Sequence, residues 1–287
     1  MSNSSNLPEQ TTQRLLPQGE PCQSPLIALT DTSTSNSISA AVASAISVST
    51  NTKETNADWT RRILSNLPVE PYYAQDGIII LNSDCRDILP LLPQVDLVLT
   101  DPPYGIGEAA GKNKSRGLAA VSKDYGFDNW DCSPVAWDLM EVCIAKGGRA
   151  IVFGGNYYPV PPSSCWLVWD KDNGKTDFAD CELAWTNLRK AVRKLTYRWQ
   201  GMLQENMGNK EVRYHPTQKP VSVMTWCLSF LPDAQTILDP FMGSGTTLVA
   251  AKLLGKRAIG IELEEKYCQI AVERLAQGNL FSEEVKW

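Results

Sequence analysis

The stretch LVLTDPPYGIG, Leu97 to Gly107, gathers reactive groups at one end of an apolar run. Prolines cannot donate to a β-ladder, so a strand entering Asp101, Pro102, Pro103 and Tyr104 must stop there. The result is a carboxylate, a backbone carbonyl stiffened by proline and an aromatic face, all held at the tip of a buried strand. A second concentration is QTILDPFMGSGTT, where a strand ends on Asp239 and runs into Phe241, Gly243, Ser244, Gly245 and Thr246. The two glycines allow a tight turn and close approach of the backbone to a ligand. Thr246 and Thr247 open the next helix, whose free N–H groups favour an anion. A third strand, RAIGIE, ends on Glu262, the place where an acid accepts from a ribose diol. A fourth, GIIIL, leads to Asp84, which could accept from an exocyclic amine. Together these groups suit an adenosine carrying a small carboxylate tail. The glycine turn is not a Walker loop, because no lysine follows its last glycine, and Leu248 stands where a G-x-G-x-x-G pattern needs the third.

The elements that must position these groups can be read from the pattern of apolar runs. Strands are expected at 77–81, 95–100, 149–155, 235–239 and 257–263. Helices are expected at 86–92, 133–146, 221–231, 246–255 and 264–278, the second opened by Ser133 and Pro134 and the last two ended by glycine. Continuous apolar strands alternating with helices indicate an α/β domain: a doubly wound, mostly parallel, Rossmann-like sheet covered on both faces. WLVWDKD (166–172) and CELAWTN (181–187), joined through Asn173–Gly174, read as an antiparallel hairpin at one end of it.

Composition narrows the class further. The chain has 287 residues and a net charge of −5, which argues against binding nucleic acid through bulk charge but leaves room for a local basic groove. Eight cysteines without a CxxC pair, and a single histidine, His215, provide no metal set, so no metal is expected and the thiols are read as free in a reducing cytoplasm. There is no apolar run long enough to cross a membrane, and MSNSSNLPEQ lacks the layout of a signal peptide. Residues 1–57 are rich in Ser, Thr and Asn and are expected to form a disordered tail, with the folded domain at 58–287.

DPPY, HPTQKP, DPFMGSGTT and IGIE, in that order, resemble the amino-group DNA methyltransferases that use S-adenosylmethionine, and the order is that of their β class. GGNYY, CWLVWDKDNG and FADCELAWTN look like the small, phage-type adenine methylases. The resemblance covers about residues 76–275. It implies that Asp101, Pro102, Pro103 and Tyr104 form the catalytic motif. Asp239, Phe241, Gly243, Ser244, Gly245 and Thr246 would hold the methionine part of S-adenosylmethionine, and Glu262 its ribose. Asp84 and Cys85 would face its adenine, and Thr217, Gln218 and Lys219 would lie near its methionine end. An exocyclic amine is a poor nucleophile because its lone pair is delocalised into the ring. Acceptance of its hydrogens by Asp101 and the Pro102 carbonyl would draw the nitrogen toward tetrahedral geometry, with the base stacked on Tyr104 after flipping out of the duplex.

DNA is then the expected partner. Residues 188–214 hold Arg193, Lys194, Arg198, Trp199 and Arg213 in a basic run with interleaved aromatics, the position of the recognition region in this family. GKNKSRG, with Lys112, Lys114 and Arg116, is expected to be a loop that covers the flipped base. Asp at position 101 favours adenine N6 over cytosine N4, because many cytosine-N4 enzymes have Ser there. A catalytically inactive DNA-binding module is the alternative from another class, and the intact acceptor set of DPPY argues against it. A homodimer and a separate restriction endonuclease stand as partners to be tested.

Overall fold

In the computed structural model of the chain, residues 54–105, 134–174, 179–200, 203–208, 210–214 and 218–277 are described. The first helix, α1 (Asn56–Leu64), opens on Thr55, whose side chain accepts from the backbone N of Asp58. It buries Trp59 and Ile63, and Arg257 stacks over the Trp59 ring while its guanidinium reaches the Glu54 carboxylate at 2.9 Å. Residues 54–57, counted above with the leading segment, therefore pack as part of the domain.

The chain continues through β1 (Tyr73–Gln75), β2 (Ile78–Asn82), the single turn α2 (Cys85–Ile88), β3 (Val95–Thr100), α3 (Trp137–Ala145) and β4 (Gly147–Phe153). The hairpin strands are β5 (Trp166–Asp170) and β6 (Cys181–Thr186), followed by β7 (Arg193–Thr196), β8 (Trp199–Gln200) and β9 (Leu203–Gln204). Then come α4 (Val221–Ser229), β10 (Thr236–Asp239), α5 (Thr246–Leu253), β11 (Arg257–Glu262) and α6 (Glu265–Ala276). Nine strands form one sheet in the order β1-β2-β11-β10-β3-β4-β6-β5-β7. From β2 to β4 all neighbours are parallel, whereas β6 runs antiparallel to both β4 and β5. This is the doubly wound α/β sheet that the apolar runs suggest, with the hairpin β5–β6 toward one end and β7 outside it.

Ile78 to Leu81 are all fully buried, which a half-exposed strand could not sustain. Alternate residues serve opposite faces. Ile78 and Ile80 pack with α4, α5 and α6, and Ile79 and Leu81 with α1, α2 and α3. At about 2 kcal/mol for each such side chain, burial on two faces gives the parallel centre a large share of the apolar stabilisation.

One expectation changes. The helix placed at 133–146 begins only at Trp137, on an Ala136 cap with no side-chain bond. Pro134 instead bridges to Tyr104, and the backbone N of Val135 donates to the Pro103 carbonyl, so the proposed first turn is extended chain bracing DPPY. Within the run 188–214, β7 joins β5 in parallel and extends the main sheet.

Candidate active site

β3 and β10 are parallel neighbours, with Leu97 opposite Ile237 and Val98 opposite Leu238. From β3 the chain proceeds to β4 on one side, and from β10 to β11 on the other. Their carboxyl ends thus flank a switch point, where open α/β sheets take ligands. Thr100 Oγ1 donates to Asp239 Oδ1 at 2.8 Å, tying the two tips together. A cavity of about 790 Å³ opens there and is lined by Asp101, Pro103, Asp239, Phe241, Gly243 and Glu262. Ser244, Thr246, Gln218 and Lys219 line it too, as do Asp84 and Cys85. No described helix is long and apolar enough to cross a membrane, and the described residues hold no metal-binding cluster.

At the DPPY tip, Pro102 is buried and Asp101 is about one-fifth exposed. Lys219 Nζ donates to Asp101 Oδ2 at 2.5 Å, and the Tyr104 hydroxyl donates to Oδ1. The Tyr158 hydroxyl bonds the Pro103 carbonyl at 2.5 Å. Lys219 also faces Glu182 on β6 at 3.0 Å, and Glu182 is tied at 2.6 Å to Lys171. Burial raises the Asp101 carboxyl, against the pull of Lys219. Burial opposes ionisation of Glu182 as well, yet the two ammonium groups hold it down to about 2. Lys219, expected beside the cofactor, is therefore first of all a partner of Asp101. Tyr104 also differs from expectation. Its ring is stacked on Tyr157, centroids 5.0 Å apart, so one face is covered. Gly154 (φ 65°) lies against the same ring, and a Cβ there would come within 2.1 Å of it, which only glycine avoids.

The turn after β10 is built for a backbone approach. Gly243 (φ 50°) has open space where a side chain would be, and Gly245 (φ 77°) sits 2.7 Å, by its missing Cβ, from Ala271. Glu262 accepts from the backbone N of Gly243 at 2.9 Å and of Glu264 at 2.8 Å. Burial pushes Glu262 up to about 7 and Asp239 to about 6. The hydroxyls of Ser244 and Thr246 are taken by Arg274, which is 2 % exposed and also bonds the Ser244 carbonyl. Arg274 pairs in turn with Glu211 at 2.9 Å. Glu211 caps α4 by accepting from Val221 N and also receives Gln218. Sequence reading missed Arg274, Glu211, Glu182, Tyr157 and Tyr158. Tyr157, Tyr158 and Glu182 lie within motifs noted above, but nothing local marks the three charged residues for their roles, because Glu182 meets Lys219 across 37 positions and Arg274 meets Glu211 across 63.

Asp84 lines the cavity, but its carboxylate caps α2 through Arg86 N and grips the Arg86 guanidinium at 2.6–3.0 Å. Of the basic residues, Arg193 and Lys194 are exposed on β7, Lys194 pairs with Asp170, and Arg198 with Asp172. Trp199 corrects the stacking expectation: it is 7 % exposed, sits in the main core and carries Arg213 over its ring. A large apolar ring gains more from that burial than from standing in solvent. Thr217, Lys112, Lys114 and Arg116 lie outside the described residues.

Residues 161–273 match a protein family, N6-N4 Mtase, described as DNA methylase. The match takes in the hairpin, the basic run, the glycine turn and β11. Among curated proteins, the type II methyltransferase M2.LlaDCHI of Lactococcus lactis subsp. cremoris is 26% identical over 74% of this chain and 94% of its own length. M2.DpnII of Streptococcus pneumoniae, another type II methyltransferase, is 26% identical over 74% and 95%. The family match and these relatives support an amino-group DNA methyltransferase. Among solved structures, an M1.HpyAVI–SAM complex is similar at TM-score 0.45 and 22% identity, covering 69% of this chain and 98% of that one. PvuII DNA methyltransferase, cytosine-N4-specific, gives 0.46 and 16%, covering 77% and 92%.

Proposed function

We propose that this chain is an S-adenosylmethionine-dependent DNA methyltransferase of the β order, acting on the N6 amine of an adenine swung out of the duplex. The observation that carries the reading is that Asp101 and the glycine turn beyond Asp239 line one cavity, with Glu262 at its wall. The residues there suit the cofactor. Gly243 leaves a bare cradle, the N-terminus of α5 favours a carboxylate, and Glu262 is an acceptor for a diol. When bound, S-adenosylmethionine supplies a methyl group on a sulfonium.

The chain's own part is to make an amine nucleophilic. Asp101 and the Pro102 carbonyl accept its two hydrogens, and the prolines hold both acceptors in place before the base arrives. The amine would gain the methyl carbon as that carbon's bond to the sulfonium sulfur breaks, and the proton it then sheds would pass to Asp101, which accepts from that N–H and is partly exposed, and on to solvent. Base entry requires Tyr104 to yield the face now covered by Tyr157. Phosphate contacts are assigned to Arg193, Lys194, Arg198 and Arg213, with Lys112, Lys114 and Arg116 beside the target base. Asp rather than Ser at position 101 supports adenine. The test is incubation with DNA and labelled cofactor, followed by digestion to nucleosides. N6-methyladenine is expected. N4-methylcytosine would overturn the adenine assignment, and absence of any methylated base would overturn the class.

A further inference from the structure

Resting on that reading, we propose that Glu182 is a positioning residue, a second seat for the Lys219 ammonium that lets Asp101 be handed to the incoming amine. Both Asp101 oxygens are engaged, Oδ1 by the Tyr104 hydroxyl and Oδ2 by Lys219. The Lys219 side chain is only 4% exposed, so its ammonium has no water to retreat into. A buried cation that leaves one carboxylate must find another or lose its compensation.

Glu182 meets that need. Its Oε1 is anchored by Lys171 at 2.6 Å, while Oε2 lies 3.0 Å from Lys219 Nζ, an ion pair without hydrogen-bond alignment, and no other donor bonds that buried oxygen. One ammonium thus stands between two acceptors, fully bonded to the catalytic one and already close to the other. A small swing of Nζ toward Oε2 completes a bond there and loosens Oδ2 of Asp101. The substrate N–H then replaces the Lys219 N–H as donor to Asp101. No proton changes hands in the exchange, and the charge of the cluster is conserved. Glu182 lies on β6, so the hairpin takes part in the chemistry although it touches no reacting atom.

The experiment measures steady-state methyl transfer, cofactor affinity by calorimetry and thermal midpoint for the full chain and for Glu182→Gln, Lys219→Met and the double variant. Glu182→Gln is expected to lower kcat about tenfold or more, with the KM for DNA and the Kd for S-adenosylmethionine within about twofold of wild type. The double variant is expected to be no slower than Lys219→Met, because Glu182 acts only through that ammonium. Glu182→Asp, which keeps the charge and shortens the reach, is expected to recover part of kcat, and it carries the test if the glutamine variant fails to fold. A kcat for Glu182→Gln within about twofold of wild type, or single losses that multiply in the double variant, overturns the inference alone. A wild-type chain that transfers no methyl group overturns the functional reading and this inference together.

Discussion

Asp101 shows how much a single side chain depends on its neighbours. Its two partners are donors, so it can act only as an acceptor while it stays ionised, and Lys219 opposes the burial that would neutralise it. Asp101→Asn keeps the shape but turns half the group into a donor, and kcat is expected to fall about a hundredfold or more with cofactor binding retained. Calorimetry alongside a single-turnover methylation assay checks both halves of that statement. Glu262 gives a different prediction. Its carboxyl is raised from 4.5 to about 7 and that of Asp239 from 3.8 to about 6. Between those values the folded chain holds protons that the unfolded chain has released, so stability falls as pH rises through this window. The thermal midpoint of the ligand-free protein should therefore drop between about pH 5 and pH 7, and Glu262→Gln should flatten the slope. Glu182, lowered to about 2, acts in the opposite sense and only below its ordinary 4.5.

At the scale of elements, the glycine turn is held from behind by α6. Arg274 fixes Ser244 and Thr246 and meets Glu211, whose carboxylate in turn caps α4. Arg274→Met removes the charge and leaves Glu211 buried without its cation. A stability loss of about 3–5 kcal/mol is expected from urea denaturation, together with weakened cofactor binding. Strand positions in the parallel centre were legible in the sequence because two-sided burial leaves unbroken apolar runs. The start of α3 was not. Ser133–Pro134 carries a good helix-opening signal, but the backbone of Pro103 and Tyr104 claims Pro134 and Val135 for an extended brace, and local propensity yields to it.

For the whole molecule the question is how a chain with net charge −5 grips a polyanion. Lys194 and Arg198 are already partnered by Asp170 and Asp172, while Arg193 and Lys194 stand exposed at the sheet edge. Each residue that does contact a phosphate should contribute about 0.9 to the slope of log K against log salt. Changing Arg193, Lys194 and Arg198 together to Ala is expected to reduce that slope by about 2–3 in a salt titration of DNA binding, with cofactor affinity unchanged. An unchanged slope would show that these residues form a solvated charged face and do not contact phosphate.

The sequence by itself settled what depends on neighbours along the chain: the two-sided strands, the proline stop after Asp101, the glycine turn after Asp239 and the acid ending β11. Tertiary structure alone decided which charges meet. Asp101 and Lys219 are 118 positions apart and Arg274 and Glu211 are 63, and no local pattern encodes a pairing at that distance. Trp199 belongs to the same lesson, since an aromatic among basic residues reads equally as a platform for bases or as core, and only packing chose the core.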